Sequence, residues 1–80
     1  MALQEVCSVL IGRLKLQSAQ VKHFTETQAL IVNNWLQIHV DTDMGLLCFL
    51  HPQKESKWYF YSTAAELYEI ISTTQRFLVR

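Results

Sequence analysis

An α+β fold is predicted by three features of the sequence. An apolar stripe near the start recurs at alternating four- and three-residue spacing, a central run alternates apolar and polar residues, and a capped amphipathic segment closes the chain. Together they read as an N-terminal helix, an antiparallel meander of three to four strands and a C-terminal amphipathic helix, packed as a two-layer sandwich.

The first stripe comprises Leu3, Cys7, Leu10 and Leu14, widened by Val6 and Ile11, and predicts a helix over residues 2–16. Gly12 weakens that helix by about 1 kcal/mol. Residues 17–24 are too polar around Gln17–Gln20 to assign, although Val21 stays in phase with the stripe, and Leu14–Leu16 also fits a short strand. Thr25-Glu26-Thr27-Gln28 has the spacing of a capping box and would open a helix through His39. A hairpin competes with it and is preferred, with Ala29–Val32 and Trp35–Val40 joined at Asn33-Asn34. Leu36-Gln37-Ile38-His39-Val40-Asp41 alternates strictly, which is the period of a strand. Asp41–Gly45 reads as a turn, Leu46–Leu50 as a strand apolar on both faces, and His51–Ser56, with the only proline, as a loop. Trp58–Ser62 is the next strand. Thr63-Ala64-Ala65-Glu66 is a sharper capping box, because Leu67, Ile70, Ile71, Thr74, Phe77 and Leu78 then line one helix face. Glu66 and Glu69 near its start and Arg76 and Arg80 near its end suit the helix dipole.

Eighty residues suit one domain spanning the whole chain. A domain this small buries only about 60% of the surface its unfolded chain exposes. Half of the residues are apolar and 18% are charged, so apolar surface is expected to be left over, and such patches mark partner surfaces. Seven basic and seven acidic residues cancel, which disfavours a nucleic-acid backbone as ligand. The opening MALQEVC lacks a basic n-region and no apolar run reaches membrane-span length, so a cytoplasmic protein with no membrane partner is expected. Two cysteines, Cys7 and Cys48, are too few for a disulfide framework and read as reduced, packed thiols.

Chemistry-bearing clusters are sparse. His39, Asp41 and Asp43 alternate on one strand face and have the donor types of a divalent-cation site, but turn formation accounts for both aspartates. Cys48 and His51 stand three apart, but a thiol inside an apolar strand is a poor nucleophile and no third group orients the base. Glu66 and Glu69 are read as dipole partners. Gly12 and Gly45 alone cannot form a phosphate loop. No enzyme activity, metal or cofactor is therefore expected. Arg13, Lys15 and Lys22 form a small basic cluster, extended by Arg76 and Arg80, that beside exposed aromatics would suit single-stranded nucleic acid.

The strongest functional signal is aromatic. Within Trp58–Tyr61, Trp58 and Phe60 share one face and Tyr59 and Tyr61 the other; Leu46, Cys48 and Leu50 likewise oppose Leu47 and Phe49. Grouping faces by character puts Leu36, Ile38 and Val40 on a uniformly apolar face. Trp35, Gln37 and His39 then join Leu47, Phe49, Tyr59 and Tyr61 on a mixed one, with the composition of interface cores. A helix on each side of the sheet would instead make both faces interior. The stretch KWYFYSTAAELYEIIS resembles the last strand and C-terminal helix of pleckstrin-homology and EVH1-type domains, over residues 46–78. That resemblance implies a scaffold binding peptides or head groups, although those domains are longer, have more strands and hold no N-terminal helix. The expectation is a non-enzymatic protein-interaction module, an adaptor, regulator or subunit. It would bind a partner or a second copy through an apolar sheet face or strand edge, with Trp35, Phe49, Tyr59 and Tyr61 as anchors. A single-stranded nucleic-acid-binding domain is the alternative.

Overall fold

The computed structural model describes residues 1–78, with side chains through Phe77. The elements in chain order are α1 (Leu3–Leu14), β1 (Gln20–His23), β2 (Gln28–Val32), β3 (Gln37–Asp41), β4 (Leu46–His51), β5 (Lys54–Phe60) and α2 (Ala64–Leu78). The strands lie in the order β1-β2-β3-β4-β5, each antiparallel to its neighbour. The expected helix–meander–helix order holds, with five strands in place of three to four. The added strand is β1, in the polar segment after α1. Only Val21 in it is even half-buried, so it carries no apolar alternation to read.

α1 stops two residues earlier than its apolar stripe predicts. Lys15 adopts left-handed geometry (φ 54°), its N–H donates to the Gly12 carbonyl at 3.3 Å, and the Leu16 N–H reaches back to Ile11 at 3.0 Å. That is a Schellman ending with lysine where glycine is usual, and it buries Leu16. The letters of the first capping box form a turn instead. The Thr27 N–H donates to Thr25 Oγ1 at 3.2 Å and the Phe24 N–H to the Gln28 carbonyl at 3.0 Å. The preferred hairpin is present with a four-residue connection. Asn33 Oδ1 accepts from the Trp35 and Leu36 N–H groups at 3.1 and 2.9 Å.

Asp41–Gly45 turns the chain as expected. Gly45 sits at φ +68°, and a Cβ there would run into the Tyr61 carbonyl. The Gly45 carbonyl accepts the Tyr61 N–H at 2.8 Å, which ties this turn to the exit of β5. The expected loop His51–Ser56 is a tight hairpin: β4 reaches His51, β5 starts at Lys54, and only Pro52 and Gln53 lie between. Pro52 cannot donate to a ladder and sits in the turn. The Gln53 N–H finds His51 Nδ1 at 3.0 Å. A register shift between Phe49 and His51 absorbs the bend. The second capping box forms in both directions. Thr63 Oγ1 accepts the Glu66 N–H at 3.1 Å, and Glu66 Oε1 accepts the Thr63 and Ser62 N–H groups at 3.3 and 2.6 Å. The side-chain expectations for Leu78 and Arg80 lie outside the described residues.

Val6 and Leu10 of α1 and Leu67 and Ile71 of α2 join Ala29, Ile31, Ile38, Val40, Leu47 and Phe49 in one buried cluster. Register shows which strand residues share this core face. Ile38 pairs with Phe49, Val40 with Leu47, and Leu47 with Tyr59. This corrects the face grouping read from sequence. Four residues separate the paired Asp41 and Leu46, so even-numbered β3 residues share a face with odd-numbered β4 residues. Leu47, Phe49, Tyr59 and Tyr61 therefore belong with Ile38 and Val40, not with Trp35, Gln37 and His39.

Candidate functional site

The same register builds the opposite sheet face in transverse rows. Lys22, Leu30, His39, Cys48 and Trp58 are successive partners across all five strands. Gln28, Asp41, Leu46 and Phe60 form the row on one side of it, and Gln20, Val32, Gln37 and Leu50 the row on the other. Apolar character rises toward β5. Trp58 and Phe60 are 63% and 65% exposed, and Leu46, Cys48 and Leu50 lie beside them on β4. Phe24, at the far end of β1, is exposed as well and packs edge-on against His39, with ring centroids 6.1 Å apart. Among the described residues β5 hydrogen-bonds to no strand but β4, so its outer edge has no strand partner there. Lys54 and Lys57 of β5 reach across to α2. Both ammonium groups lie over the Phe77 ring, 4.8 and 5.4 Å from its centroid, and Lys54 also donates to the Phe77 carbonyl.

The four anchors expected from sequence divide. Phe49 is 1% exposed and packs edge-to-face with Tyr59 at 5.8 Å. Tyr59 and Tyr61 are half-buried against the same core, and burial, with the Asp41 charge as a lesser cause, pushes the Tyr61 phenol up. Trp35 is 40% exposed in the β2–β3 connection and sits edge-on to His51 at 5.5 Å. Grouping by character puts the exposed rings Trp58 and Phe60 on the uniformly apolar face, outside the four anchors. Alternation groups residues within a strand; only the register between strands tells which set joins the buried cluster.

The chemistry-bearing clusters are occupied with structure. Asp41 is buried and accepts from Gln28 Nε2 and the Asp43 and Met44 N–H groups at 3.0, 3.0 and 3.1 Å. These bonds, the Gln28 one foremost, hold its carboxyl below the ordinary carboxylate range. Among the described residues no group of three His, Cys, Asp or Glu side chains is placed to hold a metal ion. Burial pushes the Cys7 and Cys48 thiols up. The cross-strand partner of Cys48 is His39 rather than His51.

The basic residues are brought together in part. Arg13 and Lys15 at the end of α1 and Arg76 of α2 line an open cleft of about 770 Å³ that also takes in Trp35. Lys22 lies apart, on the open sheet face beside Leu30. No described helix is long and apolar enough to cross a membrane.

Fold and surface together define a small α+β protein, a five-stranded antiparallel meander between two terminal helices with exposed aromatic rings on an edge strand. Comparison with protein-family models, with curated proteins and with solved structures returns no match. The pleckstrin-homology and EVH1 resemblance gains no support from it. The strand–helix ending of residues 54–78 is present, but α1 and the five-strand meander belong to a different arrangement.

Proposed function

We propose that this protein is a small, non-enzymatic, cytoplasmic interaction module, a two-layer domain that associates with a second copy of itself through the open sheet face and the free edge of β5. The observation that carries this reading is the pair Trp58 and Phe60, mostly exposed on an edge strand. Aromatic residues are enriched in interface cores because they bury large areas at little conformational cost. A strand edge without a partner pairs with another strand, and the charged residues of β5, Lys54, Glu55 and Lys57, all precede Trp58. Antiparallel pairing of two β5 edges would bring both copies' Trp58 and Phe60 together and extend the apolar strip of Leu46, Cys48 and Leu50. The chain's formal charge of zero sets no field against self-association. Burial, which pushes the Cys48 thiol up, speaks against nucleophilic chemistry on the same face.

Sedimentation velocity across the micromolar range tests the proposal. The wild-type protein is expected to pass from monomer to dimer, and Trp58→Ser/Phe60→Ser to stay monomeric with an unchanged circular-dichroism spectrum. A wild-type monomer at every concentration overturns the reading, and so does a double variant that dimerises as well as the parent.

A further inference from the structure

The cleft between the end of α1, the β2–β3 connection and α2 is remote in character from the open sheet face. It is lined by Arg13, Leu14, Lys15, Trp35, Ser72 and Arg76. Three of these are cations, and no carboxylate of the described residues lines the cleft. The cleft lies at the C-terminal end of α1, where the helix dipole opposes an anion. The attraction therefore rests on the three cations, while three of the last α1 carbonyls have donors of their own. Ile11 and Gly12 accept the Leu16 and Lys15 N–H groups, and Arg13 accepts Gln75 Nε2 at 2.6 Å. That last bond also fixes α2 against α1. The Arg13 guanidinium rests over the Tyr68 ring, 4.7 Å from its centroid. The Trp35 indole is steadied by His51 while its backbone is held by Asn33, leaving ring surface at the cleft. Lys15 occupies a left-handed position that glycine fills more cheaply, and the residue standing there adds a cation to this wall.

We propose that the cleft is a binding site for a small organic anion that joins a phosphate group to a flat ring, the chemistry of a nucleoside monophosphate. Arg13, Lys15 and Arg76 receive the phosphate through charge-assisted hydrogen bonds, and the ring stacks on Trp35 beside Leu14. The volume lies within the range of small-ligand pockets, about 300–1,000 Å³. The site is independent of the interaction surface on β5.

The protein's only two tryptophans are Trp35 and Trp58, so a Trp58→Phe background leaves Trp35 as the sole indole reporter. Titration of that protein with adenosine monophosphate at low salt is expected to change the fluorescence saturably. Adenosine and inorganic phosphate, each offering half the ligand, are expected to bind about tenfold or more weakly. Lys15→Gly and Arg76→Gln are each expected to weaken binding about tenfold, and added salt to weaken it further. Lys15→Gly relieves left-handed strain, so its melting temperature should not fall and its loss of binding is not loss of fold. No saturable response to the nucleotide overturns the proposal. Equal affinity for adenosine, or unchanged affinity in both variants, overturns it as well. Tighter binding of a single-stranded oligonucleotide, with affinity growing over several nucleotides, would replace the small ligand with the polymer and overturn it in that form.

Discussion

The Asp41 carboxylate accepts three hydrogen bonds while only 7% exposed. A carboxylate so placed is favoured in its charged form, because each donor N–H bonds the anion more strongly than the neutral acid. Its folded-state pKa is lowered, whereas in the unfolded chain it returns to about 3.9. The resulting stability is fully present above that unfolded value and is lost as pH falls through the lower folded one. Asp41→Asn keeps the shape and an acceptor oxygen but removes the charge. The variant is expected to be less stable at pH 7 by about 1–2 kcal/mol. The gap to wild type should close as pH falls below about 4 and the wild-type carboxylate takes up its proton. Denaturant midpoints measured across that window check this, and a gap that stays constant contradicts it.

At the scale of elements, α2 shows what local rules can carry. Thr63 and Glu66 satisfy one another's backbone donors, and Ser62 is added to the same carboxylate. Thr63→Ala is expected to cost about 1 kcal/mol and to lower the melting temperature by about 4–8 °C for a domain this size. Thr63→Ser, which retains the acceptor, should leave it nearly unchanged. This helix start was legible because both partners lie within one turn and an apolar stripe of helical period follows. The similar letters at Thr25–Gln28 make a turn, and the residues after them enter a strand that buries every second side chain. β1 was not legible, since an edge strand with one half-buried residue leaves no pattern. The end of α1 was misplaced because its stop signal is a backbone conformation at Lys15, which no side-chain periodicity reveals. The start of β5 was hidden by Pro52, whose breaking effect is confined to a two-residue turn when a bulge takes up the bend.

For the whole molecule, the decisive quantity is the relative phase of neighbouring strands. Alternation inside each strand was readable, and Trp58 and Phe60 of β5 were separated correctly from Tyr59 and from Tyr61 just past its end. Joining strands into faces needs the number of residues between paired positions, and a four-residue connection after Asp41 inverts the parity that a grouping by apolar character assumes. The consequence is an asymmetry that stability measurements can read. Phe49→Ala empties a core site and is expected to cost about 3–5 kcal/mol, a large part of the roughly 4–12 kcal/mol that holds a domain of this length together. Trp58→Ser/Phe60→Ser removes more aromatic surface from the chain but takes it from water-facing positions, so the isolated monomer should lose about 1 kcal/mol or less. Self-association adds a further signature. A dimer that forms only from folded chains raises the melting temperature with protein concentration by mass action. Wild type is therefore expected to melt higher at about 200 μM than at about 5 μM, Phe49→Ala to melt much lower at both, and the double variant to melt at one temperature throughout. Calorimetry at the two concentrations separates these behaviours. A wild-type transition that does not move with concentration, or a double variant as destabilised as Phe49→Ala, would place Trp58 and Phe60 in the service of the fold alone.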